Sequence, residues 1–223
     1  MTPKADAFER SRRGYDRLAP FYEGLEYLAF GSALMRARTS LLETLPPLEK
    51  VLVLGEGDGR FLKALLETQP RCQVTCVEQS PGMVQRAHAR LAKSPSLERV
   101  NFTIQDASRF KPEKRSYDAI FTTFFLDCFT EAQLGEALPL WLKGLKRGGL
   151  WYYADFQQPN TGLTAIRAKM YLSIMHRFFR WQTGLQPRQL VATAPLFDSH
   201  GLSLGLERNS SQNLLSTKIY RYA

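Results

Sequence analysis

At 223 residues, with 44% apolar and 23% charged residues, the chain has the size and composition of one globular domain with a sizeable core. It has no apolar run long enough to cross a membrane and no apolar signal-peptide core after Met-Thr-Pro-Lys-Ala-Asp, so a cytoplasmic protein is expected. A formal net charge of +9 suits nucleic acid or an anionic membrane surface, but like charges never form a long block. Nucleic acid is therefore disfavoured, and peripheral membrane contact stays open.

Residues 5–44 read as helical, with breaks near Ala19-Pro20 and Gly31. Arg10, Arg12, Arg13 and Arg17 form the densest basic cluster there, interrupted by Glu9 and Asp16. Leu45-Pro46-Pro47-Leu48 is a rigid connector. Strands are then predicted at 51–54, 73–77, 100–105, 118–123 and 150–155, and helices at 60–68, 81–93 and 131–146. Gly148-Gly149 is a turn signal before the fifth strand. Such βα alternation implies a parallel sheet with helices on both faces. An insertion follows at about 156–188, where Ile166, Met170, Ile174 and Phe178 recur at helical spacing beside Tyr171 and Met175. That stripe packs a helix on the domain, lids a pocket, or does both. A helix at 189–200 and strands at 202–209 and 214–222, joined by a polar turn, complete the chain.

Cys72, Cys76 and Cys128 lack paired spacing, and His88, His176 and His200 are isolated. Reduced thiols and no metal are expected.

The chemistry concentrates after the first strand. Val-Leu-Val-Leu at 51–54 stops at Gly55, Gly57 and Gly59, and the amphipathic segment 60–68 follows. Strand, glycine turn and helix make the floor of a nucleotide-type site, where backbone must approach ligand closely. Glu78 lies about twenty residues further on, where such folds set an acid against free ribose hydroxyls. Position 60 is Arg rather than the third glycine of a dinucleotide fingerprint. Glu56 and Asp58 inside the loop suit a cationic ligand such as S-adenosylmethionine (SAM) better than a pyrophosphate.

Residues 51–61, Val77-Glu78-Gln79-Ser80-Pro81-Gly82-Met83, Gln105-Asp106-Ala107, Tyr117-Asp118-Ala119-Ile120 and Leu145-Lys146-Arg147-Gly148-Gly149-Leu150 together resemble the ordered motifs of class I SAM-dependent methyltransferases. Tyr15-Asp16-Arg17-Leu18-Ala19-Pro20-Phe21-Tyr22 resembles the leader of the ubiquinone/menaquinone-biosynthesis-like branch. The resemblance implies an α/β, Rossmann-like fold: a seven-stranded, mostly parallel doubly wound sheet with an antiparallel edge strand and a helical cap. Residues 1–48 would be the cap segment and 49–223 the SAM-binding domain. SAM would be the cofactor and S-adenosylhomocysteine the product.

The resemblance assigns Gly55, Gly57 and Gly59 to the methionine end, Glu78 to the ribose and Met83 to the adenine face. Asp106 and Ala107 fall at the adenine edge, although Asp106 alone would read as a turn or helix cap. Tyr15, Tyr22, Gln79 and Thr123 complete the cofactor set. Val53 stands where the family commonly has an acid, so Glu56 is the candidate to take over that contact.

The end of the fourth strand, Thr122-Thr123-Phe124-Phe125-Leu126-Asp127-Cys128-Phe129, normally faces the reacting methyl. It lacks the Pro-Pro motif of DNA amino-methylases and a Pro-Cys nucleophile. Phe124 and Phe125, with Tyr171 and Met175, suggest an apolar acceptor pocket or plain core packing. Asp127 and His176 are candidate bases; Asp127 equally suits a helix cap near Glu131. Cys128 reads as a small buried hydrophobe. The expected function is methyl transfer to a small, largely apolar or aromatic acceptor, with the oligomeric state open. Its rivals are an RNA or protein methyltransferase using the basic surface, a NAD-dependent oxidoreductase, and a non-catalytic SAM-binding protein.

Overall fold

The computed structural model describes residues 3–157, 190–211 and 213–223. The expected insertion helix, including Tyr171, Met175 and His176, lies outside them. The chain begins with α1 (Pro3–Leu18), a 3-10 turn (Ala19–Phe21), α2 (Tyr22–Phe30) and α3 (Ala33–Thr39). The α/β alternation follows: β1 (Lys50–Leu54), α4 (Arg60–Thr68), β2 (Gln73–Glu78), α5 (Pro81–Leu91), β3 (Val100–Ile104), β4 (Tyr117–Thr123), α6 (Glu131–Leu142) and β5 (Leu145–Phe156). After the undescribed stretch come α7 (Thr193–Ser199), β6 (Leu202–Ser210) and β7 (Leu215–Tyr222).

One seven-stranded sheet has the order β3-β2-β1-β4-β5-β7-β6. The first five strands pair in parallel. The antiparallel pairing lies at the β5 edge, where β7 runs against both β5 and the outermost β6. Strand alternation divides two cores. Val51 and Val53 of β1 face one, with Phe61, Leu62 and Leu65 of α4; Leu52 and Leu54 face the other, with Leu138 and Trp141 of α6. At the far end of the sheet from the glycine turn, Asp118 accepts the Glu49 and Lys50 N–H groups (2.8 and 2.9 Å) and Lys146 (2.6 Å). That motif residue is therefore a brace between β1, β4 and β5.

Two boundaries differ from the sequence expectation. The Gly148-Gly149 turn is not a turn before β5 but part of it. Register jumps from Tyr117↔Leu145 to Ala119↔Leu150, so the glycines sit in a bulge and the preceding helix stops at Leu142. The tail helix starts only at Thr193, which leaves Pro195 in its first turn, where a missing N–H costs nothing.

The N-terminal segment is tied to the sheet by polar contacts. Tyr152 donates to the Arg38 carbonyl (2.8 Å), and Thr217 donates to that of Ala37 (2.7 Å). Asp16 accepts from the Ser80 hydroxyl (2.6 Å) and the Gly82 N–H (3.0 Å), joining α1 to the start of α5. Glu26 of α2 is buried and accepts both Arg38 (2.6 and 2.8 Å) and Arg60 (2.9 Å). Arg60 also donates to Asp58 (2.9 Å), while Arg90 joins Glu23 (2.7 Å) to Asp58 (3.4 Å). The position where a dinucleotide site needs glycine thus carries a guanidinium latch between cap and glycine loop.

Candidate cofactor and acceptor site

A cavity of about 460 Å³ opens where β1, β2 and β4 end beneath the N-terminal helices. Doubly wound folds bind ligands at this end of the sheet. The cap contributes Phe8, Ser11, Tyr15, Tyr22 and Arg38; the sheet side contributes Gly55, Glu56, Gly57, Glu78, Gln79, Met83, Asp106, Ala107, Thr123, Phe124 and Phe125. These bring together eleven of the twelve residues expected at the cofactor, spread from position 15 to position 123.

The twelfth, Gly59, does not line the cavity; it precedes α4 with its Cα side against Ala87 of α5. Gly55 has φ of +68°, and a Cβ there would fall 2.0 Å from the Phe125 ring. The first glycine therefore makes room for an aromatic side chain of this chain. Gly57 has φ of +75° and nothing within 4 Å of a Cβ position, so bare backbone faces open space.

The acids of the site are engaged to different degrees. Glu78 accepts the Gly57 N–H (3.1 Å) and the Ser80 N–H (2.9 Å), which fixes it between glycine loop and α5. Burial raises its carboxyl above the usual range, against the pull of those donors. Glu56 spends Oε1 on the Leu62 N–H (2.9 Å), whereas its buried Oε2 has no partner among the described residues. Burial pushes Glu56 up to about 8. A buried carboxylate oxygen with nothing to bind, on the wall of a cavity, fits a cationic group such as an ammonium. Open backbone at Gly57 and the acceptor Glu78 fit the rest of an adenosylated amino acid.

Asp106 caps the turn that follows β3. Its Oδ1 accepts the Ser108 N–H (2.9 Å) and hydroxyl (2.7 Å), and its Oδ2 lies 3.7 Å from Arg109. Met83 is buried on the first turn of α5. Gln79 donates to Ser11 of α1 (3.3 Å), closing the wall between cap and sheet.

The end of β4 is aromatic and strained. Phe124 has φ of +52°, a left-handed conformation uncommon for a bulky residue. Its ring lies under the Arg38 guanidinium (5.0 Å) and edge-on to Phe156 (5.0 Å). Phe125 packs edge-on to Phe129 (4.9 Å). Asp127 is not among the lining residues. Its N–H donates to buried Asp155 (3.2 Å), and its Oδ1 accepts the Cys128 thiol (3.6 Å). Cys128 does line the cavity and meets the Tyr15 hydroxyl at 3.5 Å. Burial, then the neighbouring Asp127, push the Cys128 thiol well up, so it is no thiolate nucleophile at neutral pH.

Sequence reasoning missed Arg38, Phe8 and Ser11 as lining residues and Asp155 as the partner of Asp127. Arg38 had no local signal, because its partner Glu26 is twelve residues away on another helix. Asp155 was legible only as the acid near the end of a strand.

Residues 51–149 match the methyltransferase domain family. A curated relative, malonyl-(acyl-carrier protein) O-methyltransferase 1 of Ilyobacter polytropus, is 36% identical over 72 residues, 32% of this chain and 25% of that protein. Demethylmenaquinone methyltransferase of Thermotoga maritima is 29% identical over 157 residues, 69% of this chain and 64% of that protein. The chain thus spans between 25% and 64% of the length of these relatives. The solved Burkholderia thailandensis 1,6-didemethyltoxoflavin-N1-methyltransferase, with 1,6-didemethyltoxoflavin and S-adenosylhomocysteine bound, shares the fold. It superposes at a TM-score of 0.69 and 17% identity, over 100% of this chain and 91% of its own. Motif order, sheet topology and the family match agree that residues 51–149 are a class I SAM-dependent methyltransferase domain.

Proposed function

We propose that this chain transfers a methyl group from SAM to a small, largely apolar or aromatic acceptor. One observation carries the reading. The cavity is acidic at the glycine loop, through Glu56 and Glu78, and aromatic at the end of β4, through Phe124, Phe125 and Phe129.

Glu56 Oε2 would take the cofactor's ammonium, Glu78 its ribose, and Met83 its adenine face, with Asp106 and Ala107 at the adenine edge. Bound there, SAM supplies a methyl already activated on a sulfonium. The chain's own task is then to align the acceptor and exclude water. Tyr15, Tyr22 and Phe124 do this from the cap side and the strand end. An acceptor that must lose a proton needs a base; Asp127 does not line the cavity, so it would serve only through the Cys128 thiol that donates to it. An apolar acceptor suits this end of the cavity, where aromatic area would leave water at roughly 25 cal/mol per Å².

Calorimetry with SAM, S-adenosylhomocysteine and NAD tests the cofactor half. The first two should bind. Glu78→Ala should weaken them by about 1–3 kcal/mol through the lost acceptor, and Asp106→Asn by less. NAD binding without SAM binding would sink the proposal. The acceptor half is tested by S-adenosylhomocysteine release with small phenols and quinols against RNA and protein substrates. Turnover confined to the macromolecules would replace the small-molecule reading.

A further inference from the structure

α2 is turned inside out. Glu26 is buried, and Glu23, although half-exposed, is held by Arg90, so neither acid is free. Tyr22 and Phe30 face inward, but three apolar residues face away: Phe21 at the entry is 68% exposed, Leu25 36% and Leu28 84%, at the i, i+4, i+7 spacing of one helix face. Tyr27 beside them is 68% exposed. An amphipathic helix normally buries that face. The outward surface of α2 thus carries apolar area and no free negative charge.

α1 supplies the complementary charge. Arg10, Arg13 and Arg17 are exposed at i, i+3, i+7, and Arg17 lies four residues before Phe21. The α1 acids with described side chains do not cancel them all. Asp16 is turned to Ser80 and Gly82, while Glu9 is taken by Arg12 and Arg13. Among the described residues no carboxylate pairs with Arg10 or Arg17.

We infer that this face docks on an anionic phospholipid bilayer, with Phe21, Leu25 and Leu28 entering the headgroup boundary and the α1 arginines at the phosphates. Apolar side chains beside a basic stripe are the composition of an interfacial helix. A second copy fits less well, because a twofold pairing would set like arginines against each other. The inner side of the same helices lines the cavity through Ser11, Tyr15 and Tyr22, so docking would hold the cavity close to lipid-dissolved molecules. The inference stands apart from the acceptor's identity.

Co-sedimentation with vesicles of phosphatidylcholine, with and without phosphatidylglycerol, tests it. The full chain should bind the anionic vesicles, and added salt should weaken binding. Leu28→Ser should weaken it about tenfold or more, and Arg10→Gln and Arg17→Gln about fivefold each. SAM affinity should stay at the parent level in all three. If Leu28→Ser also loses SAM affinity, the two arginine variants decide. Absence of binding, or parent-like binding by both arginine variants, would overturn the inference. So would failure of a Leu28→Cys variant to react with a maleimide in vesicle-free solution, since the face would then be covered by the chain itself or by a second copy.

Discussion

α4 and α2 are both nine residues long and both pack next to the glycine loop, yet they are held in opposite ways. α4 buries Phe61, Leu62, Leu65 and Leu66 and shows Lys63 and Glu67 to water. α2 buries Glu26 between two guanidinium groups and shows Phe21, Leu25 and Leu28. Burial of apolar area is non-directional and large. A buried ion pair gains little net stability, because desolvation offsets most of the attraction, but it demands one geometry. α4 is therefore an anchor, while α2 is a positioned part whose place depends on Arg38 and Arg60.

The contrast can be broken at four points. Phe61→Ala should cost about 3–5 kcal/mol of global stability through lost transfer energy and a cavity. Denaturant unfolding checks it, and a loss below about 1 kcal/mol would remove α4 from the core. Glu26→Ala leaves Arg38 and Arg60 buried without their shared acid and should cost about 3 kcal/mol, confined to the cap. Limited proteolysis should then cut before residue 40 while the sheet stays protected. Simultaneous loss of both regions would mean that the latch supports the whole fold.

The third point is pH. Burial sets Glu56 at about 8 against an ordinary 4.5. The folded state therefore holds an extra proton between those values, and this group's contribution to stability falls as pH rises through them. A cationic ligand wants the charged form, so cofactor affinity should rise with pH, about fivefold from pH 7 to pH 8, and level off above that. Calorimetry in buffers of differing ionisation enthalpy should detect a released proton, and Glu56→Gln should abolish it. The smallest expected effect is at Leu28. Leu28→Ser should change folding stability by no more than about 0.5 kcal/mol, measured by thermal unfolding in the absence of lipid.

What was legible in the sequence was local. The β1–glycine–α4 unit could be read because an apolar run, three glycines and an amphipathic period all lie within twenty residues. Glu78 followed from spacing alone. The inversion of α2 could not be read, because nothing within the helix says that Glu26 points inward. Its partners lie 12 and 34 residues away. Gly148-Gly149 showed that glycines mark an irregularity without saying which kind, since Leu145 already pairs with Tyr117. Asp106 shows how two readings can share a residue. The cap takes its Oδ1, and the carboxylate still lines the cavity. Asp127 was placed at the correct strand end, but its set-back behind Cys128 depends on Asp155, which only the folded sheet brings near.

The long reach of the cap's contacts has a consequence for the order in which the molecule is assembled. Asp16 must wait 64 residues for Ser80, Glu23 waits 67 for Arg90, and Tyr15 waits 113 for Cys128. A helix as short as α2 is marginal on its own in water, and contacts so distant in sequence close slowly. During synthesis these helices leave the ribosome before the strands, with Asp16 and Glu23 still lacking Ser80 and Arg90. They take up their positions only after the strands behind them have formed a sheet. The roof of the cavity is thus made before the sheet and set after it, and a nascent chain that stops short of Cys128 lacks the Tyr15–Cys128 contact.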